Sequence, residues 1–450
     1  MNTRSVLRSL IVAQWLILIG MLVLVVSGVY SARGLYSDGP FWLYKILTTE
    51  KLYISDPARS YAQVLLQIPV VTALKLGVVD LNVLMRIHSF GLVAVPIIFW
   101  TAALCIQFRT YIFWLLVTAF AVTYLRSNFF AAGEYSVTYG MVALCVSLMA
   151  QSRAGLVSAL ALVATSFGLT HAYESMSFLG ILLASFALTR LASDKQITSI
   201  HKYSLIMAVC CFGYSSFVAI RSMLYEREYS LHSTINFNAL IEFHVLYLIV
   251  TTALIISVLL NISAPKKNSI MAFCMAISGI YSAYCFLWDS SGISFGFFSY
   301  AYRSHGAFLF AGLILFICLA QHVQVVLRQS MFVLTDWRIG FMAGTLFAVM
   351  AIPLVCNSFG FYYWLKSFET EAESVQGLVP FDKTAIAPGL GPVAGYNWPW
   401  SNSTLSVLLR GNAEGIVTNE SNFTGWETFD PRHLEKYPLK QYIKKTYFHK

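Results

Sequence analysis

From Leu7 to Trp364 the chain is a train of about eleven apolar segments, and the charge between them that is not plain basic flanking collects in every second gap, beginning with Asp38. A chain patterned in this way is a polytopic membrane protein whose chemistry faces one side of the bilayer. Hydrophobic residues make up 58% and charged residues 11% of 450 positions, with a mean hydropathy of +0.67. A soluble core of this length has no use for so much apolar surface, whereas a stack of spans of ~20 residues requires it. The net charge of +9 does not signal nucleic acid, because the Lys and Arg residues lie mainly in short gaps where the positive-inside rule places them.

The apolar runs predict spans at 7–29, 83–107, 110–125, 137–151, 155–170, 175–191, 204–220, 239–261, 270–288, 306–327 and 339–363. The first is flanked by Arg4 and Arg8 and is too long for a cleaved secretory signal, so it is expected to be retained. An odd number of spans sets the termini on opposite sides. Arg109, Arg153, the basic run around Lys195, Lys266 with Lys267, and Arg328 with Arg338 then mark the inner gaps. The outer gaps hold mixed charge: Asp38, Glu50 and Asp56; Arg126 and Glu134; His171 and Glu174; Glu226 and Glu228; Asp289, Arg303 and His305. The short inner loops and the absence of long insertions point to a bacterial inner membrane, with the N-terminus cytoplasmic and the C-terminus periplasmic. The eight cysteines all fall in apolar runs with no CxxC spacing, which predicts core-filling residues rather than disulfides or a structural metal.

Two stretches of the first outer loop, about 30–82, are expected to be helices at the membrane interface. One covers Phe41 to Leu47; the other, 61–78, is interrupted by Pro69 and Lys75 and reads as amphipathic or re-entrant. After Trp364 the composition turns polar, so residues 1–364 read as the transmembrane domain and 365–450 as a small extracytoplasmic domain leaning on it. Its segment from Gly395 to Asn412 sets Trp398 and Trp400 beside amide and hydroxyl groups, a mix that suits a sugar and equally suits anchors at headgroup level. Triplets at Asn402, Asn419 and Asn422 match the glycosylation acceptor pattern.

In the first outer loop an acid follows the first span closely, then come a short helix, a proline-interrupted helix, and Arg86-Ile87-His88-Ser89 at the mouth of the next span. This arrangement resembles the integral-membrane glycosyltransferases of the GT-C superfamily, whose early loop acid is the catalytic base and whose second span often opens with an Arg-hydrophobic-x-Ser signature. The resemblance covers about the first 110 residues as pattern and the remainder as topology. The acidic doublet common in the family appears here as Asp38-Gly39. It implies an all-α, GT-C-like fold and an inverting transfer of a hexosyl or pentosyl group from a polyprenyl-phosphate sugar to an extracytoplasmic glycan or lipid-linked acceptor.

That chemistry asks for one base to take the acceptor proton and for cations to hold the departing phosphate. Asp38 ranks first as the base, with Asp56 and Glu134 behind it. Arg59, Arg86, Arg126, His171, Glu174, Arg303, His305, Trp398 and Trp400 are the expected substrate contacts, and a divalent cation, Mg or Mn, is compatible with the reaction. Plainer accounts stand beside these. Asp-Gly-Pro is an ordinary turn, Asp56 before Pro57 fits a helix N-cap, outer arginines snorkel to headgroups, and Glu134, His171 and Glu174 suit ion pairs. Glu242 and His244 lie two apart on one helix and point different ways, and Asp289 opens a Gly- and aromatic-rich loop. The runner-up functions are an O-antigen-type polymerase or ligase, and a transporter or flippase of lipid-linked sugars. The flippase would need charged groups deep in the bundle.

Overall fold

The computed structural model describes residues 3–129, 133–151, 154–193, 197–225, 294–295, 298–299, 306–307, 310–315, 317, 337–386, 396–398, 401–411 and 415–418, and these are mostly helical. In order they form α1 (Thr3–Tyr30), α2 (Gly39–Thr49), α3 (Ser60–Lys75), α4 (Leu81–Ile106), α5 (Tyr111–Ala119), α6 (Glu134–Met149), α7 (Leu156–Gly168), α8 (Met176–Ser193), α9 (Ser199–Tyr225), α10 (Trp337–Ser374) and α11 (Asn402–Arg410). α5 continues as a π turn over Phe120–Leu125, and 310 turns cover Arg33–Leu35, Pro57–Arg59 and Leu169–His171.

Four helical stretches among the described residues are long and apolar enough to cross a membrane: Arg8–Tyr30, Leu81–Ile106, Ser199–Leu224 and Gly340–Ser374. Four further stretches that the sequence suggested as spans are shorter apolar helices, Tyr111–Leu125, Glu134–Met149, Leu156–His171 and Met176–Ala192. The expected spans 239–261 and 270–288 lie outside the described residues, and 306–327 is described only in part. The long helices turn large apolar side chains outward, as Trp15, Leu16, Ile19 and Leu22 do on α1. A continuous apolar exterior of this kind is what lipid contact leaves and water contact does not. Together they indicate an integral membrane protein.

The chain contains strands as well as the expected helices. β1 (Ser294–Phe295) pairs antiparallel with β2 (Phe298–Ser299), and β3 (Gly377–Pro380) pairs parallel with β4 (Gly415–Thr418), with α11 in the connection between them. Two to four residues are too few for a period-two pattern to register in a sequence. Parallel pairing needs a crossover, and α11 supplies its helix. Arg410, at the end of α11, donates from Nη1 to the Ala372 and Val375 carbonyls at 3.0 and 2.6 Å, satisfying acceptors at the C-terminus of α10.

α1 and α10 run side by side in the same direction. Leu10 meets Gly340, Phe347 packs at Gly20, and the rings of Tyr30 and Phe359 lie 6.2 Å apart. The described residues that follow α10 therefore begin at the same end as the loop that follows α1. There Tyr36 gathers Phe129, Phe361 and Trp398 around its ring at 4.9, 5.6 and 5.8 Å. The Tyr396 hydroxyl donates to Asn357 Oδ1 on α10 at 2.9 Å.

α3 is a helix despite Pro69, as expected for 61–78, and it lies across α4 at Gly91. A Cβ added there would run into the backbone carbonyl of Leu66, so only glycine lets the two helices approach this closely. α4 begins where the Asp80 carboxylate accepts from the backbone N–H groups of Asn82 and Val83 at 2.9 and 3.4 Å, an N-cap.

Candidate functional site

Two polar clusters sit at the end of the bundle where α1 finishes. The first is built on α3. Gln63 and Gln67, one helical turn apart and both buried, reach back to the extended stretch before Pro57. Gln67 exchanges hydrogen bonds with the Tyr53 backbone at 2.7 and 2.8 Å, and Gln63 accepts from the Ser55 N–H at 3.1 Å while donating to Ser55 Oγ and to Glu134 Oε1, both at 2.6 Å. The loop is thereby tied to the first residue of α6. Asp56 caps the following turn by accepting from the Ala58 N–H at 2.7 Å, as its place before Pro57 suggested.

Arg59 lies at the centre of this cluster. It pairs with Glu174, with Asp56 at 3.1 Å and with Glu134 at 3.5 Å, and its guanidinium carbon lies 5.3 Å from the centre of the Tyr173 ring. Burial alone would lower the Arg59 pKa, but Glu174 and Glu134, aided by Tyr173 and Asp56, overcome it and hold the pKa well above the ordinary value. Asp56 is shifted up, chiefly by burial, with Arg59 and the Ala58 N–H opposing and the neighbouring carboxylates adding to the rise. His171 Nδ1 donates to the Pro57 carbonyl at 3.1 Å and its ring packs on Tyr61. Five residues singled out by the sequence, Asp56, Arg59, Glu134, His171 and Glu174, therefore meet in one place. Among the described residues no group of His, Cys, Asp and Glu is arranged to hold a metal ion. Within the three carboxylates here, the Arg59 guanidinium stands where a cation would.

The second cluster carries Asp38. Ser89 Oγ accepts from the Gly34 N–H at 3.1 Å, and His88 Nε2 donates to the Gly39 carbonyl at 3.1 Å, so two consecutive residues of α4 hold both flanks of the turn. A Cβ at Gly39 would collide with the Gly34 carbonyl, which explains glycine after Asp38. Asp38 is the N-cap residue of α2, yet its side chain makes no capping hydrogen bond there. Arg86, the exposed first residue of the signature, sits over the Tyr30 ring at 5.8 Å. Trp398 is buried against Tyr36, two residues before Asp38.

Sequence reasoning missed Arg33. Its side chain is fully buried, donating to Ser358 Oγ at 3.2 Å and to Asn128 Oδ1. Burial lowers its pKa to about 10, against the raising influence of the Tyr124 and Tyr135 phenols. Tyr135 joins the two clusters: its hydroxyl donates to the Ser127 carbonyl at 3.0 Å, and its ring lies 6.0 Å from that of Tyr173, which packs under Arg59. The available signal was an arginine just past an apolar span with no acid before Asp38, a pattern that also fits a headgroup-facing charge.

Arg126 is half-buried in the helical turn after the π segment. Arg303, His305, Trp400, Glu242, His244 and Asp289 lie outside the described residues, as do the Asn419 and Asn422 triplets. Asn402 is fully buried at the start of α11, which closes that acceptor triplet to modification in the folded chain. No family model, no curated protein and no solved structure matches this chain.

Proposed function

We propose that the chain is an integral-membrane glycosyltransferase that moves a sugar from a polyprenyl-phosphate donor to an extracytoplasmic glycan or lipid-linked acceptor, with Asp38 as general base. The observation that carries this reading is the treatment of Asp38. Asp56 and Asp80 each use a carboxylate oxygen to cap a helix, whereas Asp38 opens α2 without doing so and is flanked on both sides by bonds from α4. A carboxylate mounted on a turn that α4 clamps on both flanks, and not used to cap the helix it opens, suits an acid that must accept a proton during the reaction.

In this reading the chain crosses the membrane about eleven times, with residues 365–450 outside as a small domain. The parallel course of α1 and α10 supports an odd count, because both carry the chain towards the same end. The acceptor hydroxyl loses its proton to Asp38 as it attacks the anomeric carbon, and one displacement inverts that centre. The phosphate leaves without a general acid, in contrast to the paired carboxylates of a glycoside hydrolase. Arg86, with Arg303 and His305 from the loop beyond the described residues, is assigned to the donor phosphate. Asp56, Glu134 and Glu174 are engaged with Arg59, so their role here is to fix the loop.

The test is purified protein in detergent, supplied with a panel of polyprenyl-phosphate sugars and acceptors. Transfer needs no sealed compartment, so a new glycosidic bond in detergent supports the enzyme, and Arg86→Ala or Arg303→Ala should then weaken donor use roughly ten- to a hundredfold. Movement of a lipid-linked sugar across liposomes with no new bond formed would establish the flippase instead. Joining of preassembled lipid-linked glycans would establish the polymerase or ligase.

A further inference from the structure

We propose that Arg33 and Asn128 form a binding site for a phosphate group at the end of the bundle where α1 finishes. Arg33 is 0% exposed, and both of its hydrogen-bond acceptors, Ser358 Oγ and Asn128 Oδ1, are neutral. Its Nε–H has no acceptor. Asn128 is also 0% exposed, and its Nδ2 has only the Tyr124 phenol beside it. Among the described residues no carboxylate pairs with Arg33, whereas Arg59 in the neighbouring cluster has three. A guanidinium taken out of water without a counter-charge is costly, and unsatisfied N–H groups beside it add to the cost. An anion offering only acceptors removes both penalties at once.

Phosphate fits better than other anions for two reasons. The two donors, Arg33 Nε with no acceptor and Asn128 Nδ2 with only a phenol beside it, belong to different side chains, so a tetrahedral group with several oxygens can meet them together. Arg33 also lies three residues beyond the apolar stretch Arg8–Tyr30, the depth at which a bilayer carries its phosphates. The turn that holds it there is strained: Ala32 and Ser37, on either side of the Arg33–Tyr36 stretch, both have left-handed backbone, with φ of 51° and 60°. Arg33 is closed off from solvent, so binding requires a local opening. The aromatic cluster of Tyr36, Phe129, Phe361 and Trp398 adjoins both of its partners in sequence and is the seam assigned to that opening.

The site rests on the glycosyltransferase reading only in naming a lipid-borne phosphate as one source. Thermal unfolding of the full-length protein in detergent should be followed with inorganic phosphate, with a short-chain polyprenyl monophosphate, and with phosphatidylglycerol against phosphatidylcholine. A rise in Tm of several degrees is expected, and the arm that produces it identifies a free anion, a prenyl donor group or a lipid headgroup. Asn128→Asp places a carboxylate at Nη2 of Arg33; it should raise Tm without any probe and remove the response to all of them. Arg33→Met should remove the response too. No response in the natural protein, or a full response in Asn128→Asp, overturns the site. Binding is read without turnover, so a phosphate response with no sugar transfer keeps the site and rejects the transferase, while transfer without any response does the reverse.

Discussion

His88 Nε2 donates to the carbonyl oxygen of Gly39 at 3.1 Å, fixing the backbone one residue beyond Asp38 to the body of α4. Ser89, the next residue of α4, fixes Gly34 on the other side of the turn. Consecutive helical residues point about 100° apart, so the two can hold separate ends of a turn that wraps the helix. This gives the Arg86-Ile87-His88-Ser89 sequence a physical role whatever reaction follows: it is the clamp on which the loop after α1 is mounted.

Asp38→Asn keeps the shape of the side chain and removes its basicity. Because the carboxylate does not cap α2, the variant should reach the membrane at near-normal levels. Sugar transfer should fall by ~10²–10⁴-fold, the usual contribution of a positioned general base. Full activity in Asp38→Asn would move the role to Asp56 or Glu134, each tested by the same amide substitution.

Asp56 gives a pH-dependent stability signature. Burial raises its pKa in the folded chain, so between the ordinary carboxylate value and that raised value the folded state holds a proton the unfolded state has lost. Stability from this group is therefore complete at acid pH and declines as pH rises through that window. Asn caps a helix as well as Asp does. Asp56→Asn should consequently melt above the natural protein at pH 7, with the gap closing as pH falls through the carboxylate range. A variant that melts lower at pH 7 would show that the pairing with Arg59 outweighs burial.

The clustering of Asp56, Arg59, Glu134, His171 and Glu174 shows what the sequence could and could not reveal. Glu134, His171 and Glu174 were visible as ionisable residues at the ends of apolar runs, where such groups are costly and seek partners, and Asp56 and Arg59 as charges of the first outer loop. Nothing in the linear pattern showed that all of them meet around Arg59, because that depends on α3 lying across α4 and on Gln63 bridging to Glu134. The helices were legible from the lengths of their apolar runs. Arg33 was not, because an arginine just outside a span looks the same whether it snorkels to water or turns inward, as this one does to Ser358 and Asn128. The β3–α11–β4 unit escaped because its strands are too short to alternate.

Gly91→Ala tests the crossing that brings α3 to the site. The added methyl would press on the Leu66 carbonyl, which is backbone and cannot rotate away. Forced separation of this kind costs about 1–3 kcal/mol, seen as a lower Tm in detergent. An unchanged Tm would mean that α3 is not packed on α4 in the way that sets Arg59 and Gln63 in place.

Orientation can be read at Leu378, an exposed residue of β3 that follows α10 closely. α10 runs parallel to α1, so with the N-terminus cytoplasmic, as proposed, β3 lies outside together with Asp38. Cys105, Cys210 and Cys356 face outward from helices read as membrane spans, and replacing the native cysteines with serine before making Leu378→Cys leaves the new thiol as the reporting group. A membrane-impermeant maleimide should then label intact cells at this position, while the same reagent confined to the cytoplasmic face should not. Labelling from the cytoplasmic face alone would invert the topology and place Asp38 where an extracytoplasmic acceptor cannot reach it.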